Sequence, residues 1–182
     1  RSLAARIEER FPSLRGLVSI AAQIAHGLAA AHEKGIVHRD LKPANIMVDM
    51  QGEPHLMDFG LAKRHAAEIT MTVEGLILGT PAYMSPEQAR GDGREADCRS
   101  DVYSLGATLY EILAGRAPFD APTARETISL VLAGNPLPPS RFRPVPAELE
   151  TICLRAMSLR REDRFGSVVE LGQEVEEYLQ GT

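Results

Sequence analysis

Between Leu14 and Lys34, apolar residues recur at helical spacing: Leu17, Ile20, Ala21, Ile24, Leu28 and Ala31. Positions three and four apart share one face of a helix, so this stretch predicts a long amphipathic helix, with Gly35 as its natural stop. Ahead of it, Ser2 is placed to cap a short helix that carries Leu3 and Ile7 on one face. Past Gly35 the period changes. Ile36-Val37, Ile46-Met47-Val48 and Leu56-Met57 are short apolar runs separated by turn residues such as Gln51-Gly52. They predict short strands that present the loops between them.

From Ser85 onward the pattern is helical again. Ser85 to Gln88, Thr123 to Glu126 and Ser167 to Glu170 each have the spacing of a capping box. The stretch Asp101 to Ala114 has few charges and repeats Val102, Leu105, Leu109, Ile112 and Leu113, which predicts a central buried helix ended by Gly115. Residues 135–146 are rich in proline but helical pattern resumes after them, so they read as an ordered loop. No internal repeat or low-complexity stretch is visible. The fold class expected is mainly α, of the α+β kind, as one helical domain with a small sheet at one edge.

Composition changes this picture little. The chain has 182 residues, 44% apolar and 25% charged, enough for one domain with a sizeable core. A net charge of −5 argues against a nucleic-acid partner, whose binders carry basic surfaces. No apolar run approaches a membrane span, so no membrane contact is expected of this segment. Cys98 and Cys153 make no disulfide framework and read as free thiols in a reducing compartment, giving an expected cytoplasmic location for a chain whose parent could be anchored elsewhere. A start at Arg1, without Met, reads as a fragment.

The chemistry concentrates in His38-Arg39-Asp40-Leu41-Lys42-Pro43-Ala44-Asn45, followed thirteen residues after Asn45 by Asp58-Phe59-Gly60. A carboxylate and a carboxamide on neighbouring loops, with a second carboxylate brought back by a hairpin, make a compact oxygen-rich site. Hard cations such as Mg²⁺ take a few protein oxygens and complete their shell with phosphate and water. Lys42 adds positive charge where a transferring phosphoryl group needs it. Asp40, with Arg39 as its one adjacent cation, is placed to accept a hydroxyl proton.

The eight-residue segment resembles the catalytic loop of protein kinases, and Asp58-Phe59-Gly60 resembles their metal-binding triplet. The pairing of Lys42 with Pro43 is similar to the serine/threonine branch. Further matches cover nearly the whole chain. Gly79-Thr80-Pro81-Ala82-Tyr83-Met84-Ser85-Pro86-Glu87 resembles the end of an activation segment, with Ser-Pro-Glu for the usual Ala-Pro-Glu, as in bacterial, Hanks-type members. Asp101-Val102-Tyr103-Ser104-Leu105-Gly106 resembles the start of the family's central helix.

The resemblance implies a protein-kinase-like fold. Residues 1–182 would be the large helical carboxy-terminal lobe, with short β-hairpins at the cleft edge and the activation segment at 58–87. It implies ATP and Mg²⁺ as cofactors, with Mn²⁺ as a substitute, and serine or threonine residues of proteins as substrates, in signal transduction. Asp40 would be the catalytic base, Lys42 would reach the transferring phosphate, and Asn45 and Asp58 would hold two Mg²⁺ ions. Met47 would lie under the adenine ring. Thr80 would favour serine or threonine at the substrate site. His38 and Phe59 would pack as a structural spine. Asp101 would accept hydrogen bonds from the backbone near His38 and Arg39, and Glu87 would pair with Arg164.

Arg39 would read a phosphate on the activation segment, where Thr70 and Thr72 flank Met71. The sequence departs from the family in lacking the glycine-rich loop, the ATP-positioning lysine and its glutamate partner. The small lobe is therefore expected upstream of Arg1, and the segment alone should be nearly inactive. It should also expose an apolar face of Met47 and parts of Ile46 and Val48. Two alternatives stay open: a pseudokinase-like binding module, and a small-molecule kinase of related fold.

Overall fold

The computed structural model describes residues 1–9, 13–59, 80–92 and 94–181. Seven helices and one hairpin order these residues: α1 (Leu3–Glu9), α2 (Leu14–Glu33), β1 (Ile46–Val48), β2 (Pro54–Leu56), α3 (Pro86–Ala89), α4 (Cys98–Ala114), α5 (Ala124–Ala133), α6 (Ala147–Ala156) and α7 (Val168–Gly181). Single 3₁₀ turns at Pro43–Asn45, Pro81–Tyr83, Pro139–Arg141 and Arg161–Asp163 punctuate the connections.

The helix ends follow local chemistry. Ser13 caps α2 by accepting the Gly16 amide, and the chain reverses at Gly35, whose φ of 71° is open to glycine at little cost. Ser85 and Thr123 close full capping boxes with Gln88 and Glu126. At α7 the box closes differently: Ser167 Oγ accepts the Glu170 amide, while Glu170 accepts from Gly166 instead of Ser167. Helix α4 starts three residues before the apolar pattern does. Asp97 caps it by accepting the Arg99 amide, and its first turn is polar, so hydrophobic spacing could not mark it.

Helix α4 is the axis of the domain. From Ser100 to Ala114 every residue except Glu111 is buried. Helices α2, α6 and α7 pack around it, and α2 also lies along α7. Close approach needs small residues at the crossings. A Cβ on Gly106 would stand 2.7 Å from the Ala156 Cβ of α6. Cys98 and Cys153 are free thiols.

Three expectations are corrected here. Helix α2 is long and apolar enough by length and composition to cross a membrane, contrary to the reading that no run approaches that length. Its Leu17, Val18, Ile20, Ile24 and Leu28 are spent on the protein core instead. At the hairpin, β1 and β2 pair antiparallel with Ile46 opposite Leu56, and the two-residue side-chain period decides exposure. Ile46 and Val48 turn inward and are 0% and 2% exposed, so only Met47, at 38%, faces solvent. The outer edge of β1 is also taken: Val48 exchanges hydrogen bonds with Arg1, at 2.7 and 3.0 Å. Ile36-Val37 forms no strand and runs directly into the loop that follows.

Residues 135–146 are ordered by tertiary contacts. Glu150 accepts the Ser140 amide at 2.7 Å, and the Tyr110 hydroxyl donates to the Leu137 carbonyl.

Candidate active site

The loop between α2 and β1 carries the candidate residues, and its backbone is fixed before its side chains are. Asp101, fully buried near the start of α4, accepts the His38 amide at 2.8 Å and the Arg39 amide at 2.9 Å. The Arg39 carbonyl accepts from the Gln88 side chain of α3 at 2.7 Å. Arg39 is thereby held at φ 70°, a region that non-glycine residues seldom occupy.

His38 is buried and joins the two halves of the site. The Asp40 amide donates to its Nδ1 at 3.2 Å, so Nε2 carries the ring hydrogen and donates to the Met57 carbonyl at 2.9 Å. The Phe59 ring meets the His38 ring edge-on, centroids 4.6 Å apart. The Met57 amide donates to the Asn45 carbonyl at 2.9 Å, which extends the hairpin by one rung. Asp58 therefore leaves the sheet at the end where Asn45 enters it. Asp58 is exposed, and its φ of 66° is a second left-handed position beside the site.

Two side chains converge on Asp40. Asn45 Nδ2 donates to its main-chain carbonyl at 2.8 Å and to its carboxylate at 3.2 Å. Lys42 Nζ lies 3.8 Å from the other carboxylate oxygen and donates to Thr80 Oγ1 at 3.2 Å. The cation paired with Asp40 is thus Lys42 and not the adjacent Arg39. The Arg39 guanidinium makes no ion pair or hydrogen bond among the described residues. Asp40 and Thr80 are exposed, so the cluster faces solvent.

The segment after Thr80 is anchored on α4. The Tyr83 hydroxyl donates to Glu111, and Ser104 Oγ donates to the Tyr83 carbonyl at 2.8 Å. Burial first, and the Glu111 carboxylate second, push the Tyr83 hydroxyl above its ordinary range, so it stays a donor. Further along, Arg164 forms a two-point pair with Glu87, Nη1 to Oε1 at 2.8 Å and Nη2 to Oε2 at 2.9 Å, both side chains fully buried. Ser100 donates to Glu87 Oε1 at 2.8 Å, and Arg164 donates also to the Ser158, Leu159 and Arg99 carbonyls. Burial raises the Glu87 carboxyl, but the Arg164 hydrogen bonds and charge outweigh it and bring it to about 2.

The structure therefore gathers Asp40, Lys42, Asn45 and Thr80, with Asp58 leaving the same end of the hairpin. It places His38, Phe59, Asp101, Glu87 and Arg164 as supports. Met47 lies on the exposed face of β1. Thr70 and Thr72 lie outside the described residues. Sequence reasoning missed Gln88 and the Tyr83–Glu111 contact. Gln88 carried a signal only as a capping residue; its reach to the Arg39 carbonyl is a long-range contact that no spacing encodes.

Among the described residues no three His, Cys, Asp or Glu side chains gather as a metal cluster. The oxygens present fit a cation that arrives with phosphates. The Asn45 Oδ1 has no protein partner among the described residues, and the Asp58 carboxylate is exposed.

Comparison with known proteins follows the same lines. The family described as the protein kinase domain matches residues 1–168. The chain is 39% identical over 155 residues to the serine/threonine-protein kinase PknB of Mycobacterium leprae, covering 85% of this chain and 25% of that protein. It is 43% identical over 157 residues to the serine/threonine-protein kinase Pkn1 of Myxococcus xanthus, covering 84% and 22%. A probable serine/threonine-protein kinase, CE0033 of Corynebacterium efficiens, is 38% identical over 159 residues, 84% of this chain and 24% of that protein. The chain thus spans about a quarter of the length of these relatives.

Proposed function

The chain belongs to the protein kinase family, among its bacterial Hanks-type serine/threonine members, and from that premise we propose that it is the large lobe of an ATP-dependent kinase acting on serine or threonine of protein substrates. The observation that carries this reading is the convergence of Lys42 and Asn45 on Asp40 beside the Thr80 hydroxyl.

Asp40 accepts the proton of the substrate hydroxyl as that oxygen attacks the γ-phosphorus. The bond from the γ-phosphorus to the bridging oxygen breaks, and ADP leaves. The Asn45 amide hydrogens hold the Asp40 carboxylate, while its Oδ1 is left for a cation. Asn45 and Asp58 would hold Mg²⁺, which offsets the negative charge of the phosphates. Lys42 stands between Asp40 and Thr80 and contributes charge to the transferring phosphoryl group. The Thr80 hydroxyl, held by Lys42, lies where the substrate side chain must enter. Met47 offers an apolar surface to the adenine ring. The Arg39 guanidinium, which has no ion pair among the described residues, is available to a phosphate on Thr70 or Thr72.

The test uses the native full-length protein with radiolabelled ATP, Mg²⁺ and a generic protein substrate. Label is expected on serine and threonine. Asp58→Asn should abolish transfer through loss of metal binding, and Asp40→Asn should lower it by roughly a hundredfold or more through loss of the proton acceptor. Full activity in Asp58→Asn, or label on tyrosine alone, overturns the reading. Nucleotide binding without any transfer would favour a non-catalytic binding module instead.

A further inference from the structure

A cavity of about 500 Å³ opens between α1, the start of α2, the end of α4 and the loop that precedes α6. Ile7, Leu17, Ile112 and Leu113 form its floor and are buried, while Leu14 and Phe142 stand at its mouth and are exposed. Cavities of this size hold small ligands, and an apolar one gains by exchanging water for hydrocarbon. Among the described residues, one polar side chain lines it, Arg143.

The Arg143 guanidinium makes no ion pair or hydrogen bond among the described residues. Its place is set by packing instead. A Cβ added at Gly115 would stand 2.1 Å from the guanidinium carbon, so the group lies directly against the Gly115 backbone. Gly115 closes α4 at a φ of 74°, and the carboxy-terminal end of a helix favours a cation. Phe142 is fixed in a similar way, with the Arg116 guanidinium 4.6 Å over its ring. Two cations therefore flank the mouth of an apolar cavity, and the five N–H groups of Arg143 can meet an anionic oxygen there.

The walls select the occupant. A peptide would bring N–H and C=O groups that hydrocarbon walls leave unmet, and Pro144 has no amide hydrogen to offer. A neutral hydrocarbon would fill the cavity but leave Arg143 without a partner. A chain of CH₂ groups ending in one anionic group answers both features. We propose that this cavity binds a single-tailed anionic amphiphile, its chain against Ile7, Leu17, Ile112 and Leu113 and its head on Arg143. No residue of the phosphoryl-transfer reading lines the cavity, so the proposal stands independently of that reading.

The test uses the native full-length protein, with dodecanoate below its micelle concentration as the probe. Saturable binding is expected, and dodecanoate carrying a photoreactive diazirine on its chain should label the cavity walls in α1, the first turns of α2 and residues 142–144. Octanoate should bind roughly a hundredfold more weakly, because four CH₂ groups are lost from the buried chain. Arg143→Met, which keeps bulk and removes charge, should weaken dodecanoate by roughly tenfold or more and leave the binding of uncharged dodecanol unchanged. Leu14→Trp, at the exposed mouth, should cut labelling of the walls by roughly tenfold while the unfolding midpoint stays that of the parent. Absence of saturable binding overturns the proposal. So does labelling confined to other parts of the chain, equal dodecanoate affinity in Arg143→Met and the parent, or labelling of the walls undiminished in Leu14→Trp.

Discussion

At the scale of single residues, the Glu87–Arg164 pair is where charge and burial oppose each other most directly. Two ions removed from water gain little over apolar packing, yet removing one leaves the other uncompensated. The four further hydrogen bonds from Ser100 and to three carbonyls were built for the charged forms. Arg164→Ala is therefore expected to cost about 3–5 kcal/mol of folding stability, read by denaturant unfolding. A melt equal to that of the parent would show that the pair contributes nothing. The acid side gives an independent check. The Glu87 carboxyl is depressed on folding, from 4.5 to about 2, so its contribution is fully present above pH 4.5 and lost as pH falls towards 2. Stability should decline across that window in the parent. Glu87→Gln should start lower at neutral pH and decline less there.

At the scale of elements, α4 controls both packing and site. Its face towards α6 is flat at Gly106, where an added Cβ would meet the Ala156 Cβ at 2.7 Å and the Met157 Cγ at 3.1 Å. Alanine is the better helix former by about 1 kcal/mol, but overpacking a tight crossing costs about 1–3 kcal/mol. Neither helix can yield without shifting the buried core around it. Gly106→Ala is therefore expected to destabilise, by about 1 kcal/mol or more, measured by the unfolding midpoint. A gain in stability would show that the crossing relaxes freely. The short helix α3 offers a contrasting case. Gln88 caps α3 and also holds the Arg39 carbonyl. Gln88→Ala should lose about 1 kcal/mol of stability, while transfer activity falls by roughly tenfold, because the same amide fixes the strained residue before Asp40. Activity equal to that of the parent would assign Gln88 to capping alone.

At the scale of the whole molecule, the hairpin beside the candidate site has an exposed apolar fringe. Met47 and Met57 are exposed, while Ile46 and Val48 are not, so the uncovered surface is narrower than the sequence implied. The 182-residue chain contains no Gly-x-Gly-x-x-Gly run to cover phosphates. Positioning is most of phosphoryl-transfer catalysis, so the isolated chain should show only trace transfer in the radiolabel assay. Joined to a competent small lobe it should recover Mg²⁺-dependent activity and label Thr70 or Thr72. Replacing both threonines with alanine should then lower activity without removing it, because Asp40, Asn45 and Asp58 remain. Robust turnover by the isolated chain would mean that nucleotide is held by this lobe alone.

Much of this was legible in order along the chain. The 3.6-residue period marked α2 and the core of α4, and the Ser, Thr and Gly signals marked most helix ends, because caps and periodicity act over one or two turns. The run from His38 to Asn45, with Asp58 after it, carried the candidate chemistry, because a loop and a hairpin bring near neighbours together with few alternatives. Tertiary structure alone decided the rest. Whether Lys42 or Arg39 pairs with Asp40 depends on the left-handed backbone at Arg39, which exists because Asp101 and Gln88 hold it from sixty-two and forty-nine residues away. The α2 run long enough for a membrane became core because α4 and α7 cover its apolar face. Ile46 and Val48 vanished inward because strand register turned them together. Local pattern states what each segment can do, and long-range hydrogen bonds and burial select which of those states is occupied.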